Sequence, residues 1–243
     1  MIKQMAVATR RPGMTHTEYV DYVKHIHGYQ ITCGHEWNGN LCKYNQNYVY
    51  DGVYGQKKDV LTGGYQVVYE SDSITELYFP DEQSMGAVFS DPYVASVVGP
   101  DGQNFSDLSK SRSFIVTEEE VEVPYPAEGG FKVYYFLKKN DEISEDEFRK
   151  LWFETHKQVL DSSKVLAQAL KRFVNNVQLE GNNADYFGSK ESLHYSGLAT
   201  LWFSTIQAFR QYQQEFEQRS IDKGGFVDLS KSYALFVDEN NIL

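Results

Sequence analysis

The 243-residue chain is 41% apolar and 23% charged, enough apolar material for a packed core and too much for a disordered protein. A formal net charge of −11, with Lys and Arg scattered rather than striped, argues against nucleic acid or an anionic membrane as partner. Two cysteines, Cys33 and Cys42, cannot build a disulfide framework; with no secretory-type apolar start and no apolar run of bilayer length, a soluble cytoplasmic protein is expected.

In chain order, the run MAVATR has the length and apolarity of a strand. Thr15-x-x-Glu18 then forms a capping box, in which hydroxyl and carboxylate satisfy orphan amides at a helix start. Tyr19, Tyr22, Val23 and Ile26 follow at helical spacing. Two strands are predicted over 42–51 and 66–79, a helix from about Glu82, and a last strand over 113–116, just after the phrase DLSKS at 107–111. The segment TEEEVEVPYPAEGG, with paired Pro and paired Gly, reads as a linker. The same order then repeats. VYYFLKK is of strand length, Ser144-x-x-Glu147 is a second capping box, and Phe148, Leu151, Trp152, Thr155 and Val159 mark a helix face. Strands over 172–179 and 198–203, a helix from about Thr205 and a last strand over 234–237 complete the copy, with DLSKS returning at 228–232.

Laid over one another, the two copies match at an offset of 129 residues through the first helix, 124 near the third strand and 121 at DLSKS. Thr15 meets Ser144, Glu18 meets Glu147, and His27 meets His156. The chain therefore reads as a duplication of a β-α-β-β-α-β unit, an α+β fold with two ferredoxin-like halves, about 1–123 and 124–243. The shrinking offset places extra residues in the loops of the first copy, where they could form a lid. Each sheet has helices on one face only, so two copies can cover each other and close into a barrel-like core. The DLSKS phrases read as turn chemistry, with Asp107 and Asp228 bracing the way into the last strand.

His27 and His156 occupy equivalent, half-buried positions near the helix end, and a neutral imidazole in an apolar pocket is a good general base near pH 7. A structural role, capping carbonyls or packing against the sheet, would account for the same symmetry. His25 points to the other side of the helix, so His25 and His27 do not converge on a metal, and none is expected. Tyr22 stands just over one turn before His27, where its phenol could orient a substrate oxygen or donate to a developing enolate. Tyr78 and its repeat partner Trp202 are expected lining residues. Trp152, one turn before His156, is a further expected lining residue, though bulky enough to fill the space that a ligand would need.

These residues carry a family likeness. A strand ending in basic residues, RRPGMTHTEYVDY, a helix-end histidine and the later run GPDGQNFSDLSKS resemble the EthD domain of the dimeric α/β-barrel superfamily. The second copy keeps the Ser-x-x-Glu start, His156 and GGFVDLSKS, but has Lys139-Asn140-Asp141 where the first has Arg-Pro-Gly. The resemblance implies an internal barrel and a cleft between sheet and helices that holds a hydrophobic, often aromatic, small molecule. It also matches His27 and His156 to the family's helix-end histidine. The expected function is a lyase, cyclase or isomerase, dehydratase-like and without a cofactor, acting on a polyketide-like or phenolic compound. A non-catalytic carrier or sensor is the alternative, and a heme-binding or monooxygenase relative a further one. His27 is the expected general acid/base and His156 the secondary or structural histidine; a homodimer is possible.

Overall fold

The computed structural model describes residues 1–50, 71–179 and 194–243. In the first half, β1 (Ile2–Ala8) leads through the Thr15 capping box into α1 (His16–Tyr22), a π-helical turn (Val23–His27) and α2 (Gly28–Thr32). β2 (Lys43–Val49) and β3 (Ser73–Phe79) follow, then α3 (Glu82–Phe89), a second π turn (Val94–Val98), α4 (Gly99–Phe105) and β4 (Arg112–Val121). The second half runs β5 (Phe131–Leu137), α5 (Glu145–Ser162), α6 (Lys164–Ala169), β6 (Leu170–Gln178), β7 (Gly197–Phe203), α7 (Ile206–Asp222) and β8 (Tyr233–Asn241). The predicted strand residues 51 and 66–70 lie outside the described residues.

The eight strands form one closed antiparallel barrel in the order β1-β3-β2-β8-β5-β7-β6-β4. Two seams join the halves. β4 pairs with β6 from Val116↔Gln178 to Val121↔Phe173, and β2 pairs with β8 from Asn45↔Asn241 to Val49↔Val237. These seams correct the sequence reading at one point. The acidic run Thr117–Val121, expected in a linker, is strand, and β8 likewise runs four residues past its predicted end. The charges there are paired with basic residues on neighbouring strands and on α5: Glu119 with Arg149, Glu120 with Arg172, Glu118 with Lys3 and Glu239 with Lys132.

The duplication is visible atom by atom. Asn47 Nδ2 donates to Ile74 O at 2.8 Å and its counterpart Asn176 Nδ2 to Leu198 O at 2.9 Å. In both DLSKS turns the first serine's hydroxyl donates to the aspartate carboxylate at 2.6 Å, and the second serine's hydroxyl to the aspartate carbonyl at 2.8 Å. The phrase is thus a turn lock, written once per half.

Alternation along the strands separates two faces. The odd residues of β1 point into the barrel, where Met5, Val7, Phe114, Phe136 and Leu235 pack together. Among them sits a buried ionic group. Glu76 accepts from Lys3 Nζ at 3.1 Å and from Lys132 Nζ at 3.0 Å, with side-chain exposures of 1%, 2% and 3% respectively. Asn45 Nδ2 adds a third donor at 3.3 Å. Burial pushes the Glu76 carboxyl up, but the charges of Lys132 and Lys3 outweigh it and hold the group well below its ordinary 4.5.

Glu76→Gln removes the anion that the two buried ammonium groups share, leaving Lys3 with Glu118 and Lys132 with Glu239, and should cost about 1–3 kcal/mol in urea unfolding. Because the carboxyl is depressed in the folded state, its contribution is present above its ordinary 4.5 and is lost as pH falls through the lower folded value. The wild-type stability profile should therefore be the steeper of the two on the acid side.

Candidate functional site

The even residues of β1 face the helices, and here the halves diverge. Ala6 and Ala8 form a low floor in the first half, where Tyr135 and Leu137 stand in the second. Val23 on the helix side corresponds to Trp152, and Ser73 on β3 to Gly197. Small floor and small roof leave a cavity of about 390 Å³ in the first half. Its walls are apolar, including Ile31, Trp37, Leu41, Val88 and Phe89. In the second half the equivalent space holds rings: Trp152 packs on Phe148, Phe153 and Phe173. A Cβ added at Gly197 would meet the Trp152 ring at 3.1 Å, so the glycine makes room for the indole.

His27 lines the cavity from the last residue of the first π turn. An α-helical phase would have carried the apolar stripe on to Ile26. The π turn, closed by the Gly28 N–H donating to Val23 O, takes up an extra residue, leaving Ile26 48% exposed and turning His27 inward. The turn is held from below. Gln46 on β2, fully buried, donates from Nε2 to the same Val23 carbonyl at 2.9 Å and accepts from Tyr48 OH. The approach depends on Gly28, since a Cβ there would sit 2.9 Å from Gln46 Nε2. The second half has Lys157 at that position and an uninterrupted α5.

A carboxylate from the facing helix completes the arrangement. Asp101, buried on α4, lies with Oδ2 2.8 Å from His27 Nδ1. Its Oδ1 accepts from Tyr22 OH at 2.6 Å and from Asn104 Nδ2 at 2.9 Å. Burial pushes the Asp101 carboxyl up, but the hydrogen bonds from His27, Tyr22 and Asn104 prevail and bring it to about 2. The carboxylate can only accept, so the His27 Nδ1 carries a proton, and in the neutral ring Nε2 is the nitrogen with the free lone pair. Phe105 packs against the ring with centroids 4.7 Å apart, fixing its plane.

The other residues singled out from the sequence divide around this site. Tyr22 spends its hydroxyl on Asp101, and burial together with that bond raises its phenol above the usual range. Tyr78 is on the barrel-facing side of β3, donating to Glu118 at 3.0 Å, and Trp202 faces the same way, with Lys132 5.3 Å and Arg172 4.6 Å from its ring centre. Both thus lie on the opposite side of the sheet from His27. His25 is exposed. Asp101 and Asn104 were missed, though they stand in the GPDGQNF run; nothing in the spacing brings α4 opposite α1. The extra residues proposed as a lid fall largely in 51–70, outside the described residues.

His156 is in a different situation. It is buried, Nδ1 lies 2.8 Å from Tyr212 OH, and Nε2 is buried with no partner among the described residues. Asp222, the sequence counterpart of Asp101, is exposed and accepts from Gln218. Burial depresses the His156 imidazole to about 4. In native-state NMR it should stay neutral until pH approaches that value. Since the unfolded chain takes up the proton near 6.5 and the folded chain does not, stability should fall as pH drops from 6.5 toward 4, and His156→Phe should remove that part of the loss.

The EthD domain family matches the chain twice, over residues 11–109 and 140–230. A sequence search of the curated proteins finds no match. Among solved structures, an anthrone oxidase-like protein is similar over 99% of this chain and 92% of its own, with a TM-score of 0.58 at 9% identity. A candidate monooxygenase from Fusobacterium nucleatum subsp. nucleatum is similar over 99% and 93%, with a TM-score of 0.56 at 7% identity. A variant of the chlorite dismutase of Candidatus Nitrospira defluvii is similar over 98% and 91%, with a TM-score of 0.53 at 9% identity. At such identities the likeness is one of fold. With most of its length matched in two successive segments and its strands closed into one barrel, the chain belongs to the EthD domain family, as two fused copies in a dimeric α/β-barrel.

Proposed function

We propose that the first half is the active centre of an enzyme that moves a proton on a hydrophobic, oxygen-bearing small molecule, polyketide-like or phenolic, in lyase, cyclase or isomerase chemistry without a cofactor. The observation that carries the reading is the His27–Asp101 pair at the edge of an apolar cavity. A carrier needs only the apolar walls. A buried carboxylate that fixes one imidazole tautomer is what a general base needs.

In this reading Nε2 of His27 takes a proton from a carbon beside a carbonyl. The C–H bonding pair moves into the carbon framework and the carbonyl becomes an enolate. The imidazolium formed is stabilised by Asp101, whose charge is held in place by Tyr22 and Asn104. The proton then returns to another carbon, giving an isomer, or to a departing hydroxyl as the C–O bond breaks, giving an alkene and water. The apolar walls exclude bulk water that would otherwise compete for the proton. His156, walled in by aromatic rings, has no part in this.

His27→Ala should lower turnover by a factor on the order of 10² to 10⁴, the usual share of a positioned acid/base group. Asp101→Asn should lower kcat by roughly tenfold or more with little change in KM, because the substrate does not touch it. His156→Phe should leave turnover near wild type. Full activity in His27→Ala across polyketide-like and phenolic substrates would remove the proposal. An oxygenase would begin with the same proton abstraction and hand the enolate's electrons to O₂. Product formation under anaerobic conditions favours the lyase, cyclase or isomerase; product that appears only with O₂ consumption moves the reaction to the oxygenase class.

A further inference from the structure

Six polar side chains besides His27 line the cavity: Tyr19, Trp37, Tyr44, Ser73, Thr75 and Ser106. Five of them are committed elsewhere. Tyr19 OH and Ser73 Oγ are bonded to each other at 2.6 Å. Tyr44 OH accepts from Gln46 Nε2 at 2.6 Å, and Trp37 Nε1 donates to Ile31 O at 3.0 Å. Ser106 Oγ donates to Thr9 O at 3.2 Å. All five are buried. Thr75 alone of the six is half-exposed, and among the described residues none exchanges a hydrogen bond with its hydroxyl. It stands on β3 directly opposite Ala6 of β1, with the helices above, so the space its side chain opens to is the cavity.

The filled half supplies the contrast. There the counterpart of Thr75 is Ala199, 1% exposed, facing Tyr135 across the strands. A hydroxyl whose purpose was strand propensity or core packing would be as useful in that half as in this one. A hydroxyl present only where there is a cavity, and left unpaired there, fits a role toward whatever fills the cavity.

We infer that Thr75 is a substrate-binding residue, hydrogen-bonding an oxygen of the ligand that is separate from the group attacked by His27. The inference rests on the reading of the cavity as a substrate site and narrows it. The cavity offers two polar points, an imidazole nitrogen from the helix side and a hydroxyl from the sheet, within otherwise apolar walls. Its ligand is then a hydrocarbon framework of ring size carrying at least two oxygen functions, one at the reacting end and one set apart from it. A site built to hydrogen-bond an oxygen discriminates strongly against the analogue that lacks it, because its own polar group is then left unpaired.

The test uses the whole protein and a graded set of probes: naphthalene, 1-naphthol, and the 1,5-, 1,6-, 1,7- and 1,8-dihydroxynaphthalenes, with affinity read by isothermal titration calorimetry. Wild type should bind naphthalene weakly and 1-naphthol better, and at least one diol about tenfold more tightly than 1-naphthol, the factor that one net hydrogen bond supplies. Thr75→Val, which keeps the shape and removes the hydroxyl, should erase the preference for the diol and leave naphthalene binding unchanged. Thr75→Ser should retain the preference. If no diol exceeds 1-naphthol in wild type, or if Thr75→Val keeps the preference, Thr75 has no such role. If naphthalene and 1-naphthol themselves fail to bind, the substrate-site reading falls, and this inference with it.

Discussion

A buried carboxylate, Glu76, takes a hydrogen bond from one lysine of each half, Lys3 and Lys132, inside the barrel. All three charges lie far from water, so each carries a desolvation cost that its charged partners must offset. The requirement acts on the pairing of the halves as well as on stability. Lys3 reaches Glu76 from its own half, but Lys132 reaches it only when β2 and β8 are in register along one seam and β4 and β6 along the other. The barrel so fixed supplies the sheet on which both helical layers rest. The group is also where the internal symmetry breaks first, because the counterpart of Glu76 is Thr200.

Outside the barrel the same frame is finished in two ways. In one half the sheet carries Ala6 and Ala8 and the helix Val23, and space remains between them. In the other, Tyr135, Leu137 and Trp152 occupy that space, with Phe209, Tyr212 and Phe216 completing the layer. Close packing contributes favourable contacts that an open pocket forgoes. The second half is therefore the filled partner, while the first keeps the cavity and its polar groups. The two π turns, Val23–His27 and Val94–Val98, both fall in the half with the cavity. They bring His27 and the helix carrying Asp101 to face each other, an arrangement that regular α-helix in the second half does not reproduce.

Much of this was legible in the chain itself. The repeated capping boxes and DLSKS turns are local chemistry, and local chemistry shows in sequence. Thr15 closes the expected box with Glu18, and Ser144 caps its helix by accepting from the Glu147 N–H. The histidine pair was visible because the copies align on it, and the bulk of Trp152 pointed to unequal pockets. What stayed hidden depends on long-range geometry. Asp101 is separated from His27 by 74 positions, and only the folded sheet brings their helices together. The π turn was invisible because periodicity assumes α-helix, which puts Ile26 in the apolar stripe and leaves His27 only half-buried near the helix end. Tyr78 and Trp202 are aromatic residues on strands buried on both faces, where alternation gives no contrast to tell barrel from cleft. The glutamates of β4 read as linker because their lysine and arginine partners lie elsewhere in the chain.

The closed barrel has one further consequence, for assembly. A sheet grows by recruiting backbone along an open edge, and this one has none among its described strands, since each has a neighbour on both sides. The duplication has used the symmetric joint by which two separate copies of such a unit would meet. The described strands therefore leave a higher oligomer to side chains on the outer helices and loops rather than to strand addition. Its geometry is then free to differ from the twofold relation already enclosed within the chain.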